Sequence, residues 1–160
     1  MFHCSLRVII MESQDLELAK LKLTEKDLSL VIAKQGKVIF ETRKPGISGF
    51  LQALKEQEKK LVGASAADKI VGVAAAMLCV YSGLVSIFAL SVSEAGIRVL
   101  EDNNIACVFE KKVTHILNRN KTDVCPFEKL AMSSGSPDDA YVKLKSLANQ
   151  MMKKSSGSNC

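Results

Sequence analysis

Two periods of hydrophobic spacing alternate along this chain, and each change of period marks an element. A first helix is predicted over Ser13 to Leu23, although "LELAKLKL" also fits the two-residue period of a strand. Leu28 to Ala33 and Val38 to Thr42 are rich in β-branched residues, and the short glycine-containing "KQGK" between them reads as a hairpin turn. "RKPG" breaks the chain. Ile47, Phe50, Leu51 and Leu54 then recur at the spacing of one helix face, with Gln52, Lys55 and Glu56 on the other.

The uncharged run from Ile70 to Ser93 is longer than the roughly 18 residues that usually announce a transmembrane helix. Its character changes midway. "IVGVAAAMLCVYS" holds helix formers, whereas "LVSIFALSV" holds β-branched and aromatic residues. Gly83 falls at the change, where a left-handed residue would end a helix. Lys69 and Glu94 close the run with no aromatic belt, and Tyr81 lies mid-run. The pattern therefore predicts a helix over Asp68 to Ser82, a turn at Gly83 and a buried strand over Val85 to Ser91, in preference to a membrane span.

Beyond it, Ser91 with Glu94, or Ser93 alone, caps a helix through Leu100. Ile105, Cys107 and Phe109 mark a short strand. Pro126 suits the first position of a helix starting near Cys125, and Ser136 with Pro137, Asp138 and Asp139 opens the last helix. A hairpin followed by helices alternating with strands implies an α/β domain with a mixed sheet covered by helices.

At 160 residues the chain suits one domain. It divides into an N-terminal extension (1–12), the domain (13–152) and a polar tail (153–160). The net charge of +5 is spread over basic pairs such as Lys59-Lys60 and Lys111-Lys112, which reads as solvated surface and gives little support to a nucleic-acid partner. Five scattered cysteines without a C-x-x-C pair argue against a disulfide framework and for a reducing cytoplasm. "MFHCSLRVIIMESQD" makes a poor signal peptide. Two histidines and dispersed cysteines give no zinc spacing, and no cofactor is expected.

Chemistry in such folds gathers where strands end and helices begin. Three polar helix starts qualify: "ADKIVG" with Asp68, Lys69 and Gly72; "SVSEAG" with Ser93 and Glu94; and "NRNKTDVCPFE" with Asn118, Arg119, Asp123, Cys125 and Glu128. Asp68 and Ser93 are expected first as caps. Lys69 opposes the helix dipole unless an anion faces it, and Cys125 at a helix start could be a thiolate.

"DKIVGVAAA", "SVSEAGIRVL" and "ILNRNKTDVCPFEKL" together resemble a small family of uncharacterised proteins, a domain of unknown function with the cytidine-deaminase-like fold. The resemblance runs from about Ser13 to Gln150 and implies a three-layer α/β/α sandwich. Zinc deaminases carry H-x-E and P-C-x-x-C at two helix starts. The corresponding starts here, "ADKIVG" and "SVSEAG", have neither His nor Cys. The resemblance therefore implies a pocket refilled with Asp68, Lys69, Ser93 and Glu94, and no zinc-dependent deamination.

The expectation is a cytoplasmic protein that binds a nucleotide-like or other small polar or anionic ligand at helix N-termini. Lys69 would hold an anionic group, Asp68 and Glu94 would accept hydrogen bonds, and Asn118, Arg119, Asp123, Cys125 and Glu128 would border the pocket. The alternatives are a zinc-independent enzyme with Cys125 as nucleophile, and a non-catalytic interaction module that assembles as a homo-oligomer.

Overall fold

A five-stranded mixed sheet in the order β2-β1-β3-β4-β5 forms the middle layer. The computed structural model describes the backbone from Phe2 to Lys154 and side chains from Gln14 onward; residues 155–160, most of the expected tail, lie outside the described residues. Helix α1 (Phe2–Glu25) leads into the hairpin of β1 (Leu30–Lys34) and β2 (Lys37–Thr42), followed by α2 (Ile47–Gln57) and a 3-10 turn at Glu58–Leu61. Next come β3 (Ser65–Val71), α3 (Val73–Ser82), β4 (Ser86–Ser93), α4 (Glu94–Asp102) and β5 (Ala106–Val113), and then α5 (Pro126–Met132) and α6 (Pro137–Lys153).

Strands β1, β2 and β3 pair antiparallel, whereas β3, β4 and β5 pair parallel through the crossover helices α3 and α4. One face of the sheet is covered by α1, whose Ala19 and Leu23 pack on Val31, Ala33, Ala67 and Phe88. The other carries the larger core, where α2, α3, α5 and α6 meet Ile32, Ala66, Ile87 and Ala89. The architecture is the expected α/β/α sandwich.

The hairpin forms as its sequence predicts. Gln35 and Gly36 both have positive φ, the geometry of the tight turn that matches strand twist. Asp15 of α1, buried, accepts from the N–H groups of both turn residues at 3.0 and 2.8 Å, tying the first helix to the hairpin. Gly83, at φ 78, ends α3 in the left-handed conformation, and the Leu84 N–H reaches back to the Cys79 carbonyl. No helix among the described residues is long and apolar enough to cross a membrane.

Two expectations need correction. The first helix starts at Phe2, well before Ser13, because nothing from Phe2 to Glu25 is a proline or glycine that would stop it; residues 2–12 continue α1. The larger correction concerns "SAADKIV", which is a central strand and not the start of a helix. Asp68 to Val71 read locally as the first turn of a helix capped by Asp68, because an aspartate before an apolar run has the character of an N-cap. In the sheet they end β3, whose Ala66 and Ala67 are wholly buried. Tertiary packing overrides propensity here, and α3 begins only after Gly72.

Candidate functional site

The parallel strands β3 and β4 end together, so the first turns of α3 and α4 lie side by side. Ser93 caps α4 as expected, its Oγ accepting from the Gly96 N–H at 3.0 Å. A Cβ at Gly96 would come within 3.1 Å of the Gly72 backbone, so the residue must be small for the two helix starts to touch.

Gly72 holds the N-cap position of α3 and has no side chain to offer. Glu128 supplies the missing acceptor from α5. Its carboxylate accepts from the N–H groups of Val73 at 2.7 Å and Ala74 at 2.8 Å, and the residue is buried. A helix N-terminus attracts an anion; in this protein the anion is internal. Gly72 is glycine because a Cβ there would lie within 2.3 Å of that carboxylate. Position 128 is the third residue of α5, where a glutamate ordinarily folds back to its own helix cap, yet here it spans to another helix. Burial pushes Glu128 above the usual carboxylate range, and the two N–H donors partly offset this.

Asp68 is the second buried carboxyl. Along β3 the side chains alternate, so Ala66, Asp68 and Ile70 face the α3 side while Ala67 and Lys69 face the α1 side. One Asp68 oxygen accepts from the Ile70 N–H at 3.1 Å. Among the described residues no cation pairs with it, and burial raises it from the ordinary 3.8 to about 7. Asp68 is therefore not a helix cap, because its position lies within the strand.

Both carboxyls border a cavity of about 30 Å³ roofed by Ile70, Ile116 and Phe127, with Gly46 and Ile47 of the α2 start on the facing wall. That volume admits one or two waters and falls short of the few hundred Å³ of a nucleoside pocket. The cavity accepts a small group, or one end of a larger molecule.

Of the residues expected at a site, Asp68, Gly72, Cys125 and Glu128 line this cavity, and Ser93 stands behind it as a cap. The others lie elsewhere. Lys69 is on the opposite face of the sheet, paired with Asp27 at 2.7 Å, and its ammonium holds the Asp27 carboxyl below its ordinary range. It cannot grip an anion in the cavity, because strand alternation turns it away. Glu94 is exposed on the first turn of α4. Asn118 builds its own loop, accepting from the Thr122 N–H at 3.0 Å, and Arg119 is exposed in that loop. Asp123 pairs with Lys129 on the surface. Cys125 is buried at the start of α5. Lys69→Ala is accordingly expected to leave the amide resonances of Gly72, Val73 and Ala74 in place and the thermal midpoint little changed, since its ion pair is solvent-exposed; two-dimensional NMR and a melting curve check this.

Comparison with known proteins agrees with this architecture. The family model for the domain of unknown function DUF1893 (TM1506) matches residues 18–147. The crystal structure of a DUF1893 family protein from Thermotoga maritima superposes with a TM-score of 0.74 at 25% identity, over 86% of this chain and 90% of the other. Two forms of RibD from Acinetobacter baumannii are more distant, with TM-scores of 0.49 and 0.44 at 16% and 18% identity. They match 61% and 63% of this chain and 35% and 34% of theirs. No curated protein matches. The strand order, the two adjoining helix starts and the family match agree, and the chain belongs to the DUF1893 family.

Proposed function

We propose that this protein binds a small polar ligand through N–H donors, and that Asp68 is the acceptor which receives them. The observation that carries this reading is the Asp68 carboxyl, buried beside a cavity with backbone donors alone and no cation among the described residues. Natural cores rarely leave a carboxyl in that condition without a use for it.

An anionic ligand fits less well. Glu128 already occupies the α3 N-terminus, and a second anion would face two carboxyls across a few ångströms. An amidine, a guanidine or the N1–H/N2–H edge of guanine has the complementary pattern, with two N–H groups side by side meeting a carboxylate. The cavity volume limits the buried part to such a headgroup, with any larger remainder leaving past Ile70, which is 49% exposed.

The test uses acetamidinium and guanidinium as probes, with acetate as the anionic control, titrated into isotope-labelled protein. Acetamidinium or guanidinium is expected to shift the amides of Ile70, Gly72 and Val73, more strongly at about pH 8 than at pH 5, because Asp68 must be ionised to receive a cation. Asp68→Asn is expected to weaken binding at least about tenfold. Shifts with acetate alone, or equal binding by the Asn variant, would overturn the assignment.

A further inference from the structure

The opposite end of α3 carries a second, larger depression. Its volume is about 430 Å³, within the range that encloses a small organic ligand, and it lies between α2, the 3-10 turn, the end of α3 and α6. The distance from the Asp68 cavity is about the length of α3, roughly 15 Å.

The lining is unlike ordinary surface. Tyr81 of α3 and Tyr141 of α6, the two tyrosines of the whole chain, stack there with ring centroids 4.2 Å apart and planes inclined by 14°. Lys55, Lys59 and Lys145 surround them, and Glu58 is the one carboxylate in the wall. None of these three lysines is ion-paired among the described residues. The Lys145 ammonium lies 5.7 Å from the Tyr141 ring. Glu58 itself sits at φ 41, a backbone conformation that non-glycine residues seldom adopt. Along α6 the depression continues into a shallower one, where Ser146, Asn149, Gln150 and Lys153 add hydrogen-bonding groups and another cation.

An aromatic wall, three lysines in the same lining and adjoining amide and hydroxyl groups match a ligand with a flat ring, a polyhydroxylated middle and an anionic end. We infer that this groove binds a free nucleoside phosphate, its base against the Tyr81–Tyr141 pair and its phosphate among Lys55, Lys59 and Lys145. The site is independent of the Asp68 cavity, so either assignment can fail without the other. The enclosed volume suits one nucleotide better than a strand.

Calorimetric titration of the full chain with ADP tests this. Binding is expected with a dissociation constant below about 1 mM, with adenosine and inorganic phosphate each at least about tenfold weaker. The doubly substituted Lys59→Gln/Lys145→Gln protein changes only exposed side chains and is expected to keep its melting temperature while losing at least about tenfold in ADP affinity. Tyr141→Leu should weaken adenosine and ADP by the same factor, and Asp68→Asn should alter neither. Absence of ADP binding at about 5 mM, or unchanged affinity in the lysine variant, would overturn the inference. So would a dT15 oligonucleotide that binds more than about tenfold tighter than ADP, which would give the groove to a nucleic-acid strand.

Discussion

Glu128→Ala is expected to lower the unfolding free energy by about 3–5 kcal/mol, the largest single loss that an uncharged substitution at this site should produce. Two backbone donors, on Val73 and Ala74, then have no acceptor in a buried place, and the N-terminus of α3 faces a void. Burial of a carboxylate is costly, which is why Glu128 is raised above its ordinary range. Removing it nevertheless destabilises, because the helix end it serves is buried as well. Glu128→Gln keeps one carbonyl acceptor and should lose about half as much. Chemical denaturation of the three proteins at about pH 6 measures the series. A loss below about 1 kcal/mol for the alanine variant would mean that the cap is replaced by water and that the α3 start is open to solvent.

Asp68→Asn is expected to act in the opposite direction. The folded protein binds the Asp68 proton more tightly than the unfolded chain does, with values of about 7 and 3.8. Unfolding therefore releases a proton between those values, and the stability associated with this carboxyl is present below about pH 4 and falls as pH rises to about 7. At about 1.4 kcal/mol per pKa unit the full loss is of order 4 kcal/mol. Asparagine can still accept from the Ile70 N–H and carries no charge. The variant should thus be more stable than the parent at about pH 8 by a few kcal/mol, and indistinguishable from it near pH 4. Denaturation curves across that interval give the difference directly, free of the other carboxyls that both proteins share. A carboxyl whose removal stabilises the fold is kept for something other than the fold.

Much of the architecture is legible in the chain. The "KQGK" turn, Gly83 at the end of a helix, Ser93 and Ser136 as caps and Pro126 at the start of α5 all act locally, and the structure shows each of them. The uncharged run divides at Gly83 into helix and strand as its composition indicates. Local reasoning fails at Asp68 to Val71, because an aspartate before an apolar run has the character of a helix cap, whereas pairing with β1 and β4 makes the segment the end of a central strand. At a helix start Asp68 and Lys69 would share one turn, whereas the alternation of a strand sends the two to opposite faces.

The site was partly visible for the same reason. Asp68, Gly72, Cys125 and Glu128 could be singled out as polar or special residues near helix ends, but their meeting depends on α5 returning across the α3 start. Glu128 looks like an ordinary first-turn acid of its own helix, and a span of 55 residues separates it from Val73. Asp15 was not suspected at all. Its signal is a carboxylate among the apolar positions of a helix, and its partners are turn amides about twenty residues away. The tyrosine pair was hidden by distance too, since Tyr81 and Tyr141 become neighbours only when α6 packs on α3.

The most direct test of the central claim is a carbon-13 NMR titration of the side-chain carboxyls, with and without acetamidinium. The account predicts an Asp68 midpoint near 7 in the free protein, moved clearly downward by the cation, which favours the ionised form. An Asp68 midpoint close to 3.8 that acetamidinium leaves unmoved would contradict it, and would show a solvated carboxyl with no ligand to receive.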